Sequence, residues 1–222
     1  MPEAREPLAP LERRILGVLV EKQKTSKNSD TYPLTLNALT TGCNQKSNRD
    51  PVMETDEVEV EECVDSLQKK GFVTRLTSSR VDRFKHELYD RWTRNGTEMA
   101  VIAELLLRGP QTKGELRTRA GRMDPIDSLE ALDDLLKPMV ENGLVVYLTE
   151  PDRRGAMLTH GFHTADELKV ARSHAAGLAV EETATPRSVA PPPPNEIAEL
   201  KSRVAALESQ LAELRRQLGL ES

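Results

Sequence analysis

Aromatic residues are scarce in this sequence: Phe, Tyr and Trp together account for 3% of 222 residues, with a single Trp. Any core must therefore be built from Leu, Val and Ile. The two cysteines, Cys43 and Cys63, are too few for a disulfide framework, and each is expected to be an ordinary buried thiol. No apolar run approaches the roughly 20 residues that a membrane span needs, so no membrane association is expected. The first ten residues are acidic and Pro-rich and lack the charged and apolar regions of a signal peptide, which leads us to expect a cytoplasmic protein. Signatures of catalysis are missing as well. There is no Walker-type phosphate loop, GxGxxG, GxSxG elbow or HExxH, so an enzyme is not expected, nor catalytic residues or a cofactor. The net charge of −5 argues against a chain that coats nucleic acid nonspecifically, although a local basic face is compatible with it.

Hydrophobic residues make up 37% of the chain, somewhat less than a typical globular domain carries, and the deficit is uneven. Residues 8 to about 165 alternate apolar periodicity with turn signals. Residues 171–195 are rich in Ala, Thr, Ser and Pro and end in Pro191 to Pro194. Residues 196–220 return to strict periodicity. This suggests a winged-helix domain over 8–94, a second over 95–168, a flexible Pro/Ala-rich linker over 169–195 and a coiled-coil helix over 196–220.

The two domains emerge from an internal repeat. In the first, Leu11, Ile15, Leu16, Leu19 and Val20 mark one helix, and Leu36, Leu39, Thr40 and Cys43 a short second one with Thr35 as its N-cap. A third helix, about 56–70, places Val60, Cys63, Val64 and Leu67 on one face and stops at Lys69, Lys70 and Gly71. A strand at 72–76, a turn at Ser78 and Ser79 and an extended return over 81–88 follow. The second copy runs in the same order. Met99, Ile102, Leu105 and Leu106 open it, and Thr112 with Glu115 forms a capping box. Asp124 and Pro125 are expected to cap a third helix bearing Leu129, Leu132, Leu135 and Leu136, and Pro138 to end or kink it. Asn142 and Gly143 close that element before a strand at 144–148.

Matching positions lie 86 residues apart for Leu16 and Ile102, 77 for Thr35 and Thr112, and 72 for Gly71 and Gly143. The falling offset means that the first copy carries two insertions, around 24–32 and around 44–53. Three helices and a β-ribbon in about 75 residues is the winged helix-turn-helix arrangement. The expected fold class is thus mainly α with small β-ribbons (α+β), as two tandem winged helix-turn-helix domains plus a C-terminal coiled-coil helix.

The run NQKSNRDPVM at 44–53 is highly distinctive. With LGVLVEK at 16–22, YPLTLNAL at 32–39, SRVDRFKH at 79–86 and LRGPQTKGELRTRAGRM at 107–123, it resembles the YceH family of bacterial proteins, a group of unassigned function. The C-terminal leucine-repeat helix is similar too. The resemblance covers about 8–150 plus the tail. It implies a tandem winged-helix fold and supplies no activity. Two departures stand out: the 24–30 loop is longer and more polar than is usual there, and the second wing, 149–163, lacks a basic pattern.

Candidate chemistry is sparse. Cys43 lies on the apolar face of a short helix, which suits a core thiol better than a nucleophile. His160 and His163, with His174 nearby, lack the thiolate or carboxylate partners of a zinc site, so histidines on a solvated loop are expected and no metal. Cations gather at Arg75, Arg80, Arg83 and Lys85 on the first wing, and at Lys113, Arg117 and Arg119 near the second copy's short helix. In the turn before the third helix, Lys46 and Arg49 are placed for phosphates, and Asn44, Gln45 and Asn48 for bases or backbone. The same Asn-rich loop equally well caps its own helices. Against nucleic acid, seven acids and no Lys or Arg lie within residues 50–62, at the start of the element that ordinarily enters the major groove. The second copy's third helix also opens among acids, Asp124, Asp127, Glu130, Asp133 and Asp134.

Ile197, Leu200, Val204, Leu207, Leu211, Leu214 and Leu218 alternate at spacings of three and four without error. Branched residues dominate the a positions, with Leu at d, which favours a two-stranded parallel coiled coil and hence a homodimer. Two functions fit. One is a dimeric, non-enzymatic regulator contacting double-stranded DNA through wing one and the second copy's basic helix. The other is a protein–protein adaptor whose acidic third helices meet a basic protein partner without touching DNA; tandem winged-helix adaptors in chromosome-organising complexes supply the analogy.

Overall fold

The computed structural model describes residues 5–26, 31–77 and 81–183. Residues up to Ala179 group into one compact unit. Among the described residues the chain is α+β, with eight helices and two three-stranded antiparallel sheets. The first half runs α1 (Pro10–Thr25), β1 (Leu34–Thr35), α2 (Leu36–Cys43), α3 (Glu57–Lys69), β2 (Val73–Leu76) and β3 (Arg83–His86). A short α4 (Leu88–Arg91) connects it to α5 (Gly96–Arg108), β4 (Gln111–Thr112), α6 (Lys113–Ala120), α7 (Leu129–Glu141), β5 (Val145–Tyr147) and β6 (Met157–His160). The order of elements repeats, and so does the topology: each sheet places its last strand in the middle, β1-β3-β2 and β4-β6-β5.

Equivalent residues do equivalent work. Thr35 and Thr112 each end a two-residue strand, and each accepts a hydrogen bond from the third residue of the helix it caps, Ala38 and Glu115. The buried faces of the third helices match position for position, Val60, Val64 and Leu67 against Leu132, Leu136 and Met139. Both helices end on a glycine with positive φ, Gly71 at +74° and Gly143 at +68°. Each glycine is followed by an N–H that reaches back to the last buried turn, Phe72 to Leu67 O and Leu144 to Met139 O. Only a residue without Cβ turns this corner without strain.

The repeats pack through their opening helices. All ten residues from Glu12 to Glu21 on α1 are buried, as are all nine from Met99 to Leu107 on α5. A helix buried all round is central rather than superficial. Gly17 lets the two approach: a Cβ there would lie 2.8 Å from Leu107 Cγ and 3.3 Å from the Ala103 carbonyl. Further links join the halves. Trp92 stacks on Phe162 with ring centroids 4.5 Å apart, Leu8 N–H donates to Phe162 O at 3.1 Å, and Lys24 pairs with Asp124 at 2.8 Å.

Three local expectations fail, each for a physical reason. Asp124 does not start α7. It is drawn to Lys24 and Thr97, and Ser128 caps the helix by accepting from Ala131 N–H. Pro138, expected to end or kink α7, does not end it: the helix continues to Glu141, and one missing N–H is tolerated where the helix buries Leu132, Leu136 and Met139. Residues from 169 onward were read as linker, yet α8 (Ala165–Thr183) is helical, since its alanines favour a helix. Ser78, Ser79, Arg80 and the linker and tail beyond residue 183, including Ile197 to Leu218, lie outside the described residues.

Replacing Gly17 by Leu should force α1 and α5 apart and lower stability by about 3 kcal/mol, read as a fall in the urea midpoint. Gly114 in α6 has open space around its missing Cβ. There Gly114→Ala should raise the midpoint, by up to about 1 kcal/mol.

Candidate functional site

The distinctive loop at 44–53 folds inward. Asn44 uses its whole amide locally: Nδ2 donates to Thr55 O at 2.6 Å, and Oδ1 accepts from Thr55 N–H at 2.9 Å. Gln45 Oε1 accepts from Lys22 and Arg49, and Nε2 donates to Ser47. Asn48 takes positive φ, +58°, and its Oδ1 accepts from Arg108 at 2.7 Å. Asp50 N–H donates to Leu107 O at 3.0 Å, at the end of α5. Arg14, 1% exposed, donates to the carbonyls of Cys43 and Pro51. Of the loop's candidate DNA contacts, Lys46 alone is exposed and without an ion-pair partner among the described residues.

Arg49 is the loop's anchor. It is 4% exposed, donates to Gly42 O and Asn48 O, and meets Glu21 at 2.5 Å. Glu21 also receives Arg122 from the second repeat at 2.5 Å, and Arg122 continues to Glu104 at 3.1 Å. Arg108 Nε lies 3.1 Å from Glu104 Oε1, although the pair is not aligned as a hydrogen bond. Burial pushes the Glu21 carboxyl up, but Arg49 and Arg122 outweigh it and hold it below its ordinary range. Burial likewise opposes the charge on Arg122, and Glu21 and Glu104 more than restore it. Two buried carboxylates at the α1–α5 contact are thus neutralised by arginines from both repeats. Sequence reasoning missed both acids; the available signal was a Glu that interrupts one apolar run, AVIAELLL, while Glu21 only ends another, GVLVE.

The β2–β3 hairpin is held by its own acids. Arg75 reaches Glu61 and Asp65 of α3 at 3.0 Å and Asp82 at 3.4 Å, and its guanidinium lies 5.2 Å from the Phe84 ring centroid. Arg83 donates to Pro33 O at 2.8 Å, and Lys85 pairs with Glu87 at 2.8 Å. In the second repeat Lys113 pairs with Asp133 at 2.9 Å, Arg119 with Glu115 at 2.9 Å, and Arg117 donates to the carbonyls of Ile126 and Asp127. Each of these cations is thus engaged by a partner within the chain. By contrast Glu57, Glu59, Glu62 and Asp65 stand exposed on α3 beside Val58, which is 66% exposed.

Cys43 is fully buried, and burial pushes its thiol up to about 12; Cys63 is raised similarly. Neither carries thiolate at neutral pH. The histidines correct a sequence expectation, because His160 is not on a solvated loop. It ends β6 at 2% exposure, stacked 4.0 Å from His163. Its counterpart is His86 at the end of β3, 4% exposed. In each, Nδ1 accepts the N–H two residues on, Leu88 or Phe162. Burial lowers the pKa of both rings, that of His86 to about 4. Among the described residues no group of three or more His, Cys, Asp or Glu is arranged for a metal ion, and no helix is long and apolar enough to cross a membrane.

Residues 8–155 match the family model described as protein of unknown function, DUF480. The chain belongs to this family. Relatives include a UPF0502 protein of Rhodopirellula baltica, 45% identical over 73% of this chain and 68% of its own length. Another from Geobacter sulfurreducens is 41% identical over 92% and 88%, and one from Dechloromonas aromatica 40% identical over 97% and 96%. The DUF480 match contains both repeats through β5 and the whole buried ion network. Membership agrees with the sequence resemblance and assigns no activity.

Arg49→Ala leaves the buried Glu21 with Arg122 as its one remaining arginine and should cost about 3 kcal/mol in urea unfolding, whereas Lys46→Ala should change stability by less than about 0.5 kcal/mol. A second outcome concerns pH. His86 is neutral when folded but titrates near its ordinary value of about 6.5 when unfolded, so its contribution is complete above that value and is lost as pH falls toward about 4. Between pH 7 and 5 the loss from His86 should be roughly 2 kcal/mol. His86→Gln should flatten that limb of a pH series of urea midpoints.

Proposed function

We propose that this chain is a non-enzymatic tandem winged-helix protein acting as a protein–protein adaptor, with the acidic third helices as docking faces for a basic partner. Each repeat supplies the helix, helix, helix and hairpin of that fold, and α3 takes the place of the groove-reading helix. The observation that carries the reading is the state of Arg75. It is the wing cation nearest α3, and three carboxylates, Glu61, Asp65 and Asp82, already surround it. A phosphate approaching there meets carboxylates in excess, while a basic protein surface meets complementary charge. The tight α1–α5 contact supports the same reading, because it holds the two docking faces at one fixed separation. Self-association through residues 196–220, argued from the unbroken heptads, would double the number of faces and raise avidity.

A DNA-contacting reading retains one specific observation: Lys46 and Lys69 are exposed and unpaired among the described residues. One titration separates the two. Full-length protein is added to a labelled mixed-sequence duplex at about 50 mM and about 200 mM salt. The adaptor reading expects no binding tighter than about 10⁻⁴ M at the higher salt, the weak limit for nonspecific contacts. Micromolar affinity that falls steeply with salt and is lost in Lys46→Ala/Lys69→Ala would overturn it. The positive arm is a stoichiometric protein partner whose capture is abolished by Glu61→Lys/Glu62→Lys.

A further inference from the structure

The repeats differ at one equivalent place, and the difference points to a ligand. In the first repeat Arg75 on β2 pairs across the sheet with Phe84 on β3. Its side chain spans from the hairpin to α3, reaching Glu61 and Asp65, so it covers the cleft between hairpin and third helix. In the second repeat the same register position is Tyr147, opposite Leu158. The helix position matching Glu61 is Asp133, by the same offset that aligns Val60, Val64 and Leu67 with Leu132, Leu136 and Met139. The acid persists and an aromatic persists, transposed to the neighbouring strand. The guanidinium is gone, the position matching Asp65 is Lys137, and Asp133 is held instead by Lys113 of α6 at 2.9 Å. Where the guanidinium would lie the protein has a groove of about 500 Å³, floored by Leu136, Val140 and the half-buried Tyr147 and edged by Asp133, Glu141 and Asp152.

We propose that this α7–hairpin groove is a docking site for an arginine side chain of a protein partner, received on the Tyr147 ring by Glu141 and Asp152. This deepens the adaptor reading and rests on it.

The charge pattern fits a guanidinium. Two lysines also line the groove, but each has its acid: Lys113 pairs with Asp133 at 2.9 Å and Lys137 with Asp134 at 2.8 Å. Glu141 and Asp152 have no ion-pair partner among the described residues. They leave two unpaired carboxylates at the rim, while the floor is apolar and aromatic. A planar, weakly hydrated guanidinium stacks on such a ring and accepts two carboxylates at its edge. A lysine ammonium is a strongly hydrated point charge and gains less from the floor. The chain therefore carries its own control. The first repeat shows the pairing made in cis, with Arg75 set 5.2 Å from an aromatic centroid and two helix carboxylates at 3.0 Å.

The test uses the full chain, labelled at Leu and Val methyls, titrated with N-acetyl-arginine amide and, separately, N-acetyl-lysine amide. Saturable shifts are expected at Leu136 and Val140, with the arginine probe at least about threefold tighter than the lysine probe. Glu141→Gln/Asp152→Asn, both at exposed positions, should lose most of that response while the unfolding midpoint stays unchanged. Shifts of equal size from both probes, or a response that survives the double variant, would overturn the arginine assignment. Shifts confined to Val58 and Val60 on α3 would overturn the groove and leave docking on the acidic helix in place. Groove shifts together with salt-sensitive DNA binding would leave the groove and remove the adaptor reading on which it is built.

Discussion

Everything in this molecule hangs on the close approach of α1 and α5. Two helices buried on all sides cannot each be the outer helix of an independent domain. They form one shared core, and Gly17 against Leu107 and Ala103 sets the distance. The close fit brings Glu21 and Glu104 into the interior, each almost fully buried. Carboxylates so placed are costly unless paired, and the loop that supplies the pairing is the run at 44–53, through Arg49. The second repeat contributes Arg122 and Arg108 to the same acids. The strap, the packed helices and the ion network are therefore one device: the insertion in the first repeat exists in the structure as the seal over an interface that the second repeat does not need to build again.

That device also explains how the polar loop came to be read in two ways. An Asn-rich, Arg-bearing turn before a third helix looks the same in sequence whether its donors face phosphate or its own backbone. The distinguishing information sits elsewhere, in Glu21, which ends one apolar run, and Glu104, which interrupts another. A charge on a buried helix demands a partner, and the polar insertions of the first copy are the places to look for it. Much of the rest was legible. The repeat offsets located both third helices, because the buried triads and the positive-φ glycines are sequence-local features. Capping at Thr35 and Thr112 followed from the same logic. What escaped were features set by distant partners: Asp124 reads as a cap until Lys24 is known to lie beside it, and His160 reads as solvated until β6 is placed in the middle of its sheet.

The paired histidines show how deeply the duplication runs. His86 and His160 close the same strand, present Nδ1 to the same N–H, and are desolvated to the same end. Their surroundings have since diverged. His86 is linked to Gln23 through Nε2 at 2.7 Å, whereas His160 stacks on His163, which takes a hydrogen bond from Arg13 at 2.8 Å. Scaffold positions such as these retain residue type because geometry fixes them, while positions that face outward are released to change.

The contrast between Arg75 and Tyr147 belongs to that second class. A cation committed to three neighbouring carboxylates contributes rigidity to its own hairpin and offers nothing to a partner. Exchanging it for an aromatic removes an internal tie and opens a cleft with unpaired acids at its rim. In a tandem repeat one copy is free to complete its own surface and the other to leave it incomplete. Under the adaptor reading proposed above, a partner offering both an arginine for the groove and a basic surface for α3 would be selected over one offering either alone, because α1 and α5 hold the two copies in a single body.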